Sequence, residues 1–224
     1  MPRNRRRHAG WPALLLALLL GLHAAPSRAQ SAALSACWLK GVEHEVQCGQ
    51  LRRPLDPAQQ AGPSIELHFA VLPALARNKK PDPVVFVAGG PGQSAIALAG
   101  PIRQMLARFG NRRDIVLVDQ RGTGRSAPLR CDDHHPGAPL AETADVRAQA
   151  QRALECLARL QALPHGDLRQ YTTAVASADL EAVRLALGAR QLNLVGESYG
   201  TRAALDYLRQ FPQSVRRVVL DGVA

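Results

Sequence analysis

Three short runs constrain the fold of this chain more than any other feature. Val84-Val85-Phe86-Val87, Ile115-Val116-Leu117-Val118 and Leu192-Asn193-Leu194-Val195 are apolar at nearly every position. A strand with one wet face alternates between apolar and polar residues. One that does not alternate is covered on both faces, as in parallel sheets. Each run stops at a glycine-bearing turn, and a fourth run, Val218-Val219-Leu220, lies near the end. Between the runs the spacing predicts helices over 94–109, 145–160 and 173–187, and another from the last turn to about Gln210. Leu154, Leu157 and Leu160 lie near one face of the second. Leu180, Val183 and Leu187 form a stripe on the third, which Gly188 stops. Strands alternating with helices predict an α/β fold, a mainly parallel sheet with helices on both faces. Residues 42–46 and 65–71 alternate instead, with a turn at 53–57 between them, and predict an antiparallel pair before the parallel part. His44 and His68 are expected on its solvent faces.

The first 29 residues read as a leader. A basic start (Arg3, Arg5, Arg6, Arg7) precedes an apolar stretch from Trp11 to Leu22, and Ser27-Arg28-Ala29 offers small residues for cleavage after Ala29. The stretch is shorter than the ~20 residues a spanning helix needs, so no stable membrane span is expected after cleavage. Arg5-Arg6-Arg7 allows a twin-arginine route. Residues 30–224 then belong to one domain, of which they are the N-terminal part, secreted or periplasmic. Export permits disulfides. The four cysteines allow three pairings, and Cys37 with Cys48 and Cys131 with Cys156 is favoured because each loop closes locally.

The net charge of +10 raises a nucleic-acid reading. Five of the 28 basic residues belong to the leader, which has no acid, and that leaves +5 on the other 195 residues. Those charges are scattered along the sequence, and only 4% of residues are aromatic. No basic stripe interleaved with stacking residues is visible, so no nucleic-acid partner is expected.

The turns carry the chemistry. Gly196-Glu197-Ser198-Tyr199-Gly200 stands between a buried strand and a helix, the context in which G-x-S-x-G presents a serine nucleophile above the strand ends. Ala88-Gly89-Gly90-Pro91-Gly92 suits an oxyanion hole, with the amides of Gly90 and Tyr199 as donors. It is no phosphate loop, because no Gly-Lys-Ser/Thr follows. In the third turn, Asp119 and Arg121, ahead of Gly124, are expected to form a buried ion pair that braces the loop. His134-His135 beside Cys131, Asp132 and Asp133 fits no zinc spacing. Neither metal nor cofactor is expected.

These motifs resemble exported α/β-hydrolases related to prolyl iminopeptidase and the tripeptidyl aminopeptidases. The resemblance rests on Gly89-Gly90-Pro91-Gly92, Asp119-Gln120-Arg121-Gly122-Thr123-Gly124-Arg125-Ser126, Gly196-Glu197-Ser198-Tyr199-Gly200-Thr201 and Val219-Leu220-Asp221-Gly222, and covers roughly Cys37 to the end. It implies an α/β-hydrolase fold, Ser198 as nucleophile, and peptide or ester substrates. Ala88 stands where the family usually has His.

A serine nucleophile needs a base. All seven histidines (His8, His23, His44, His68, His134, His135 and His165) precede Ser198, and only Asp206 and Asp221 follow it as acids. Asp206 is expected on a helix surface. The order implied by the family is serine, acid, histidine. The chain therefore reads as the N-terminal half of a hydrolase whose lid, acid, histidine and last strands lie further on. As written it is expected to turn over little and to dissolve poorly. The alternatives are an esterase or lactonase on the same core, a non-catalytic exported binding domain, or an unconventional reach of His134 or His165 to Ser198.

Overall fold

The computed structural model describes residues 33–131 and 145–224. The predicted leader and the His134-His135 segment lie outside the described residues. One sheet is built from β1 (Leu34–Cys37), β2 (Val46–Pro54), β3 (Ser64–Leu72), β4 (Val84–Val87), β5 (Ile115–Val118), β6 (Leu192–Glu197) and β7 (Val215–Asp221). Their spatial order is β1-β2-β3-β5-β4-β6-β7. The first three strands and the β3–β5 pair are antiparallel, and β4–β5, β4–β6 and β6–β7 are parallel. The chain leaves β4 for β5 on one side and returns to β6 on the other. Such a reversal of strand order opens a crevice outside the carboxyl ends of the strands.

The unbroken apolar runs are explained by two cores. Val85, Val87, Val116, Val118, Leu192 and Leu194 face one way, against α4 (Thr173–Ala186) and α5 (Tyr199–Gln210). Val84, Phe86, Ile115, Leu117 and Val195 face the other, against Ala99 and Ile102 of α1 (Ala99–Met105) and against Leu106, which leads into the short α2 (Ala107–Gly110). Helices therefore cover both faces of the parallel part.

The predicted helix over 94–109 is shorter and broken: a 3-10 turn at Ile96–Leu98, then α1 and α2. Starting at Ala99 places Pro101 in the first turn, where a missing N–H costs no intrahelical bond. A start at Ser94 would have put it inside the helix. The predicted strand over 42–46 is also corrected. Those residues lead from a turn (Val42 N donates to Leu39 O) into β2, and only Val42 and Val46 are buried. The strand before them is β1, held to β2 by a Cys37–Cys48 disulfide. β2 runs on to Pro54, so the turn begins at Leu55 rather than Arg53. Cys131 pairs with Cys156 of α3 (Val146–Gln161). That helix has no buried residue, and Leu154 and Leu157 are exposed. Asp145 caps it, accepting from the amides of Arg147 and Ala148. His44 is exposed as expected, whereas His68 is half-buried. Its imidazole pKa is lowered by burial and by nearby Arg125.

Candidate active site

Ser198 stands where β6 turns into α5, exposed at the carboxyl end of the strand, with φ 51° and ψ −124°. A non-glycine residue at positive φ is uncommon and stays there only when its surroundings enforce it. The enforcement here is visible. Ser198 N donates to Asp221 O at the end of β7 (2.9 Å), and Ser198 O accepts from Thr201 N (2.9 Å) and Thr201 Oγ1 (2.7 Å). Gly200 lies against the Val87 carbonyl, so closely that any Cβ there would overlap it. A Cβ on Gly196 would meet Gly200 O at 2.5 Å. Both glycines let the strand-to-helix turn close against β4.

The loop after β4 passes directly beside this serine. A Cβ built on Gly89 would lie 3.2 Å from Ser198 Cβ and 3.0 Å from Glu197 O. Gly90 follows at φ +106°, with Pro91 and Gly92 completing the turn. Tyr199 opens α5, where an amide has no intrahelical acceptor, and its hydroxyl is 2.8 Å from Thr173 Oγ1. The fold thus brings Gly89, Gly90, Ser198 and Tyr199 together from two separate turns.

The third turn works differently from the expectation. Asp119 (1% exposed) and Arg121 (5% exposed) are buried, but not as a pair with each other. Asp119 accepts from Ser94 Oγ (2.6 Å), Ile96 N (3.1 Å) and Arg125 N (3.2 Å). Gly124 is packed so tightly on the Asp119 carboxylate that a side chain there would collide with it. Arg121 donates instead to both oxygens of Asp179 on α4 (2.7 and 3.0 Å), and to the carbonyls of Leu55 and Gln170. Arg53 also reaches Asp179, at 3.1 Å. Ser94, Asp179 and Thr201 were not singled out from the sequence. Thr201 and Asp221 lie within the quoted motifs, whereas nothing in the local pattern joins Asp179 to Arg121.

Asp206 is not a plain surface residue. It accepts from Ser177 Oγ (2.8 Å), Arg209 and Gln210. Burial pushes its pKa up, but these donors outweigh burial and hold it below the ordinary aspartate value. Nor do the described histidines serve Ser198. His68 lies on β3, three strand positions from β6, which is about 14 Å at the usual strand spacing. His44 belongs to the turn before β2 at the far end of the sheet, and among the described residues Ser198 Oγ has no hydrogen bond to His165. His134 and His135 lie outside the described residues.

Residues 82–223 match the model of the alpha/beta hydrolase fold. The chain belongs to the α/β-hydrolase family. It is 34% identical over 194 residues to a tripeptidyl aminopeptidase of Streptomyces lividans, covering 80% of this chain and 35% of the relative. It is 31% identical over 191 residues to the serine protease Hip1 of Mycobacterium tuberculosis (strain ATCC 25618 / H37Rv), covering 78% and 35%. A proline iminopeptidase of Xylella fastidiosa (strain Temecula1 / ATCC 700964) is 29% identical over 148 residues, covering 65% and 34%. This α/β-hydrolase chain therefore spans about a third of the length of the curated relatives it matches. A solved structure of a proline iminopeptidase-related protein from Thermus thermophilus overlays with a TM-score of 0.44 at 19% identity, covering 85% of this chain and 42% of that one.

Proposed function

We propose that this chain carries the nucleophile-bearing part of an exported serine hydrolase, a peptidase of the aminopeptidase kind, with Ser198 as the attacking group. The observation that carries the reading is the backbone of Ser198. An exposed serine held at φ 51° between a strand end and a helix N-terminus is costly to maintain, and it serves to present Oγ to a ligand above the sheet. In the reaction Ser198 Oγ attacks the scissile carbonyl of a peptide or ester and loses its proton to a base. The amides of Gly90 and Tyr199 donate to the oxyanion, and the N-terminus of α5 favours the same negative charge. The tetrahedral intermediate collapses to an acyl-enzyme and expels the amine or alcohol, and water then releases the acid. The base and its orienting acid are assigned to chain outside these 224 residues, so the 224-residue chain alone is expected to turn over little.

The relatives' names favour peptides over esters. The two disulfides fit an oxidising compartment outside the cytosol. A fluorophosphonate probe tests the nucleophile. In a chain of the relatives' length it should label the wild type and leave Ser198→Ala unlabelled, and equal labelling of both would reject the assignment. Aminoacyl and tripeptidyl p-nitroanilides, compared with short esters, then separate peptidase from esterase.

A further inference from the structure

Charges scattered along the sequence are gathered by the fold at one end of the sheet, the end away from Ser198. The loop between β3 and β4 carries exposed Arg77, Lys79 and Lys80, and α2 with the stretch leading from it to β5 carries Arg108, Arg112 and Arg113. Backbone bonds lace the two together: Leu75 N to Gly110 O, Ala76 N to Asn111 O and Lys80 N to Arg112 O. Arg190 and Arg216 lie beside the starts of β6 and β7 at the same end. Against these eight cations stand Asp82 and Asp114, already engaged by Arg113, Arg216 and Lys79, and, at the corner near β1, exposed Glu43 and Glu45. Arg77, Lys80, Arg108, Arg112 and Arg190 form no ion pair among the described residues.

Large apolar side chains sit in the open among them. Leu75 is 70% exposed and Phe109 45%. Trp38, 70% exposed, leaves β1 at this same end, because Cys37 pairs with Val46, Gln47 with Val71, and Val71 with Val116. Lys40, Glu43 and Glu45 share that corner.

We infer that this basic end is a docking surface for an anionic phospholipid bilayer. Cations alone would suit any polyanion. Exposed Trp, Phe and Leu beside them are what an interfacial protein inserts among headgroups while its Lys and Arg meet the phosphates. The surface is independent of the hydrolase reading. β6 separates it from Ser198 by roughly 17 Å, so a docked molecule holds the serine toward the aqueous side, beyond the ~8 Å reach of surface charge at physiological salt.

The test uses protein purified after export. It is a chain of the relatives' length, and the Trp38 contribution to the emission is read as the difference from Trp38→Phe. Vesicles of phosphatidylcholine are compared with vesicles containing one third phosphatidylglycerol. Binding to the anionic vesicles alone, a blue shift of Trp38 emission, and release by 0.5 M salt are expected. Arg77→Ala/Lys80→Ala should weaken partitioning about thirtyfold, at ~1 kcal/mol per charge. Leu75→Ser/Phe109→Ser should weaken it several-fold with an unchanged melting temperature. Equal binding to both vesicle types overturns the proposal. So does a response to the charge variant matched on heparin or DNA, with none to Leu75→Ser/Phe109→Ser, which would mark a polyanion surface.

Discussion

Asp119 Oδ1 accepts the Ser94 hydroxyl at 2.6 Å and so ties the turn after β5 to the loop after β4. The same carboxylate takes the amides of Ile96 and Arg125. The loop that borders Ser198 is thereby anchored from a neighbouring strand. Asp119→Ala leaves three donors short of an acceptor and is expected to cost about 3 kcal/mol. Ser94→Ala removes one hydroxyl and should cost about 1 kcal/mol, yet slow fluorophosphonate labelling of Ser198 several-fold, because the Gly89-Gly90 loop loses its anchor. Urea unfolding and labelling rates, measured on the same preparations of the longer chain, check both. A wild-type labelling rate in Ser94→Ala would show that the anchor does not position the loop.

Gly200 offers the sharpest steric test. Its α-carbon faces the Val87 carbonyl with no room for a methyl group. Gly200→Ala must push α5 away from β4 and is expected to destabilise by about 2–3 kcal/mol, the upper part of the overpacking range. A chemical-denaturation midpoint equal to wild type would mean that the helix shifts freely.

The Arg121–Asp179 pair is almost fully enclosed, with side chains 1% and 3% exposed. Removing one partner strands the other. Asp179→Ala should cost about 3–5 kcal/mol, which lowers the melting temperature by about 10 °C in a domain of this size. Arg121→Met/Asp179→Leu should recover part of the loss, since an apolar pair leaves no buried charge unmatched.

Acid stability should follow Glu181. Burial alone would raise its pKa, but hydrogen bonds from Arg184, Tyr207 and Ser214 hold it below the ordinary value of 4.5. With the folded pKa depressed, the unfolded chain binds protons first as pH falls. The stabilisation is complete above about pH 4.5 and is lost as pH drops through the folded value. Asp82 and Asp206 shift the same way. Glu181→Gln should flatten the acid limb of a plot of melting temperature against pH, and a wild-type slope in that variant would refute the assignment.

How much was legible in the sequence differs by element. Val84–Val87, Ile115–Val118 and Leu192–Val195 were readable because burial on both faces erases alternation, and that is a local property of four residues. The nucleophile turn was readable for a partly related reason: Gly196 is required by Gly200 and Thr201, close along the chain, whereas Gly200 is required by the Val87 carbonyl of another strand, a contact its motif does not reveal. Residues 42–46 were misread because two buried valines four apart mimic alternation when the three residues between them form an exposed connection. The predicted Asp119–Arg121 pair failed because the chain turns at Arg121, and each side chain found its partner on another element, Asp119 on the loop after β4 and Arg121 on α4.

What the sequence determined by itself is the order of strands and helices and the position of the serine turn, since periodicity and glycine placement act over a few residues. Tertiary structure alone decided which groups meet. Arg121 reaches Asp179 across 58 positions, Asp119 reaches Ser94 across 25, and arginines and lysines from four connections collect at one end of the sheet. Such contacts follow from strand order and register, which depend on how whole faces bury against one another, and no local pattern records them.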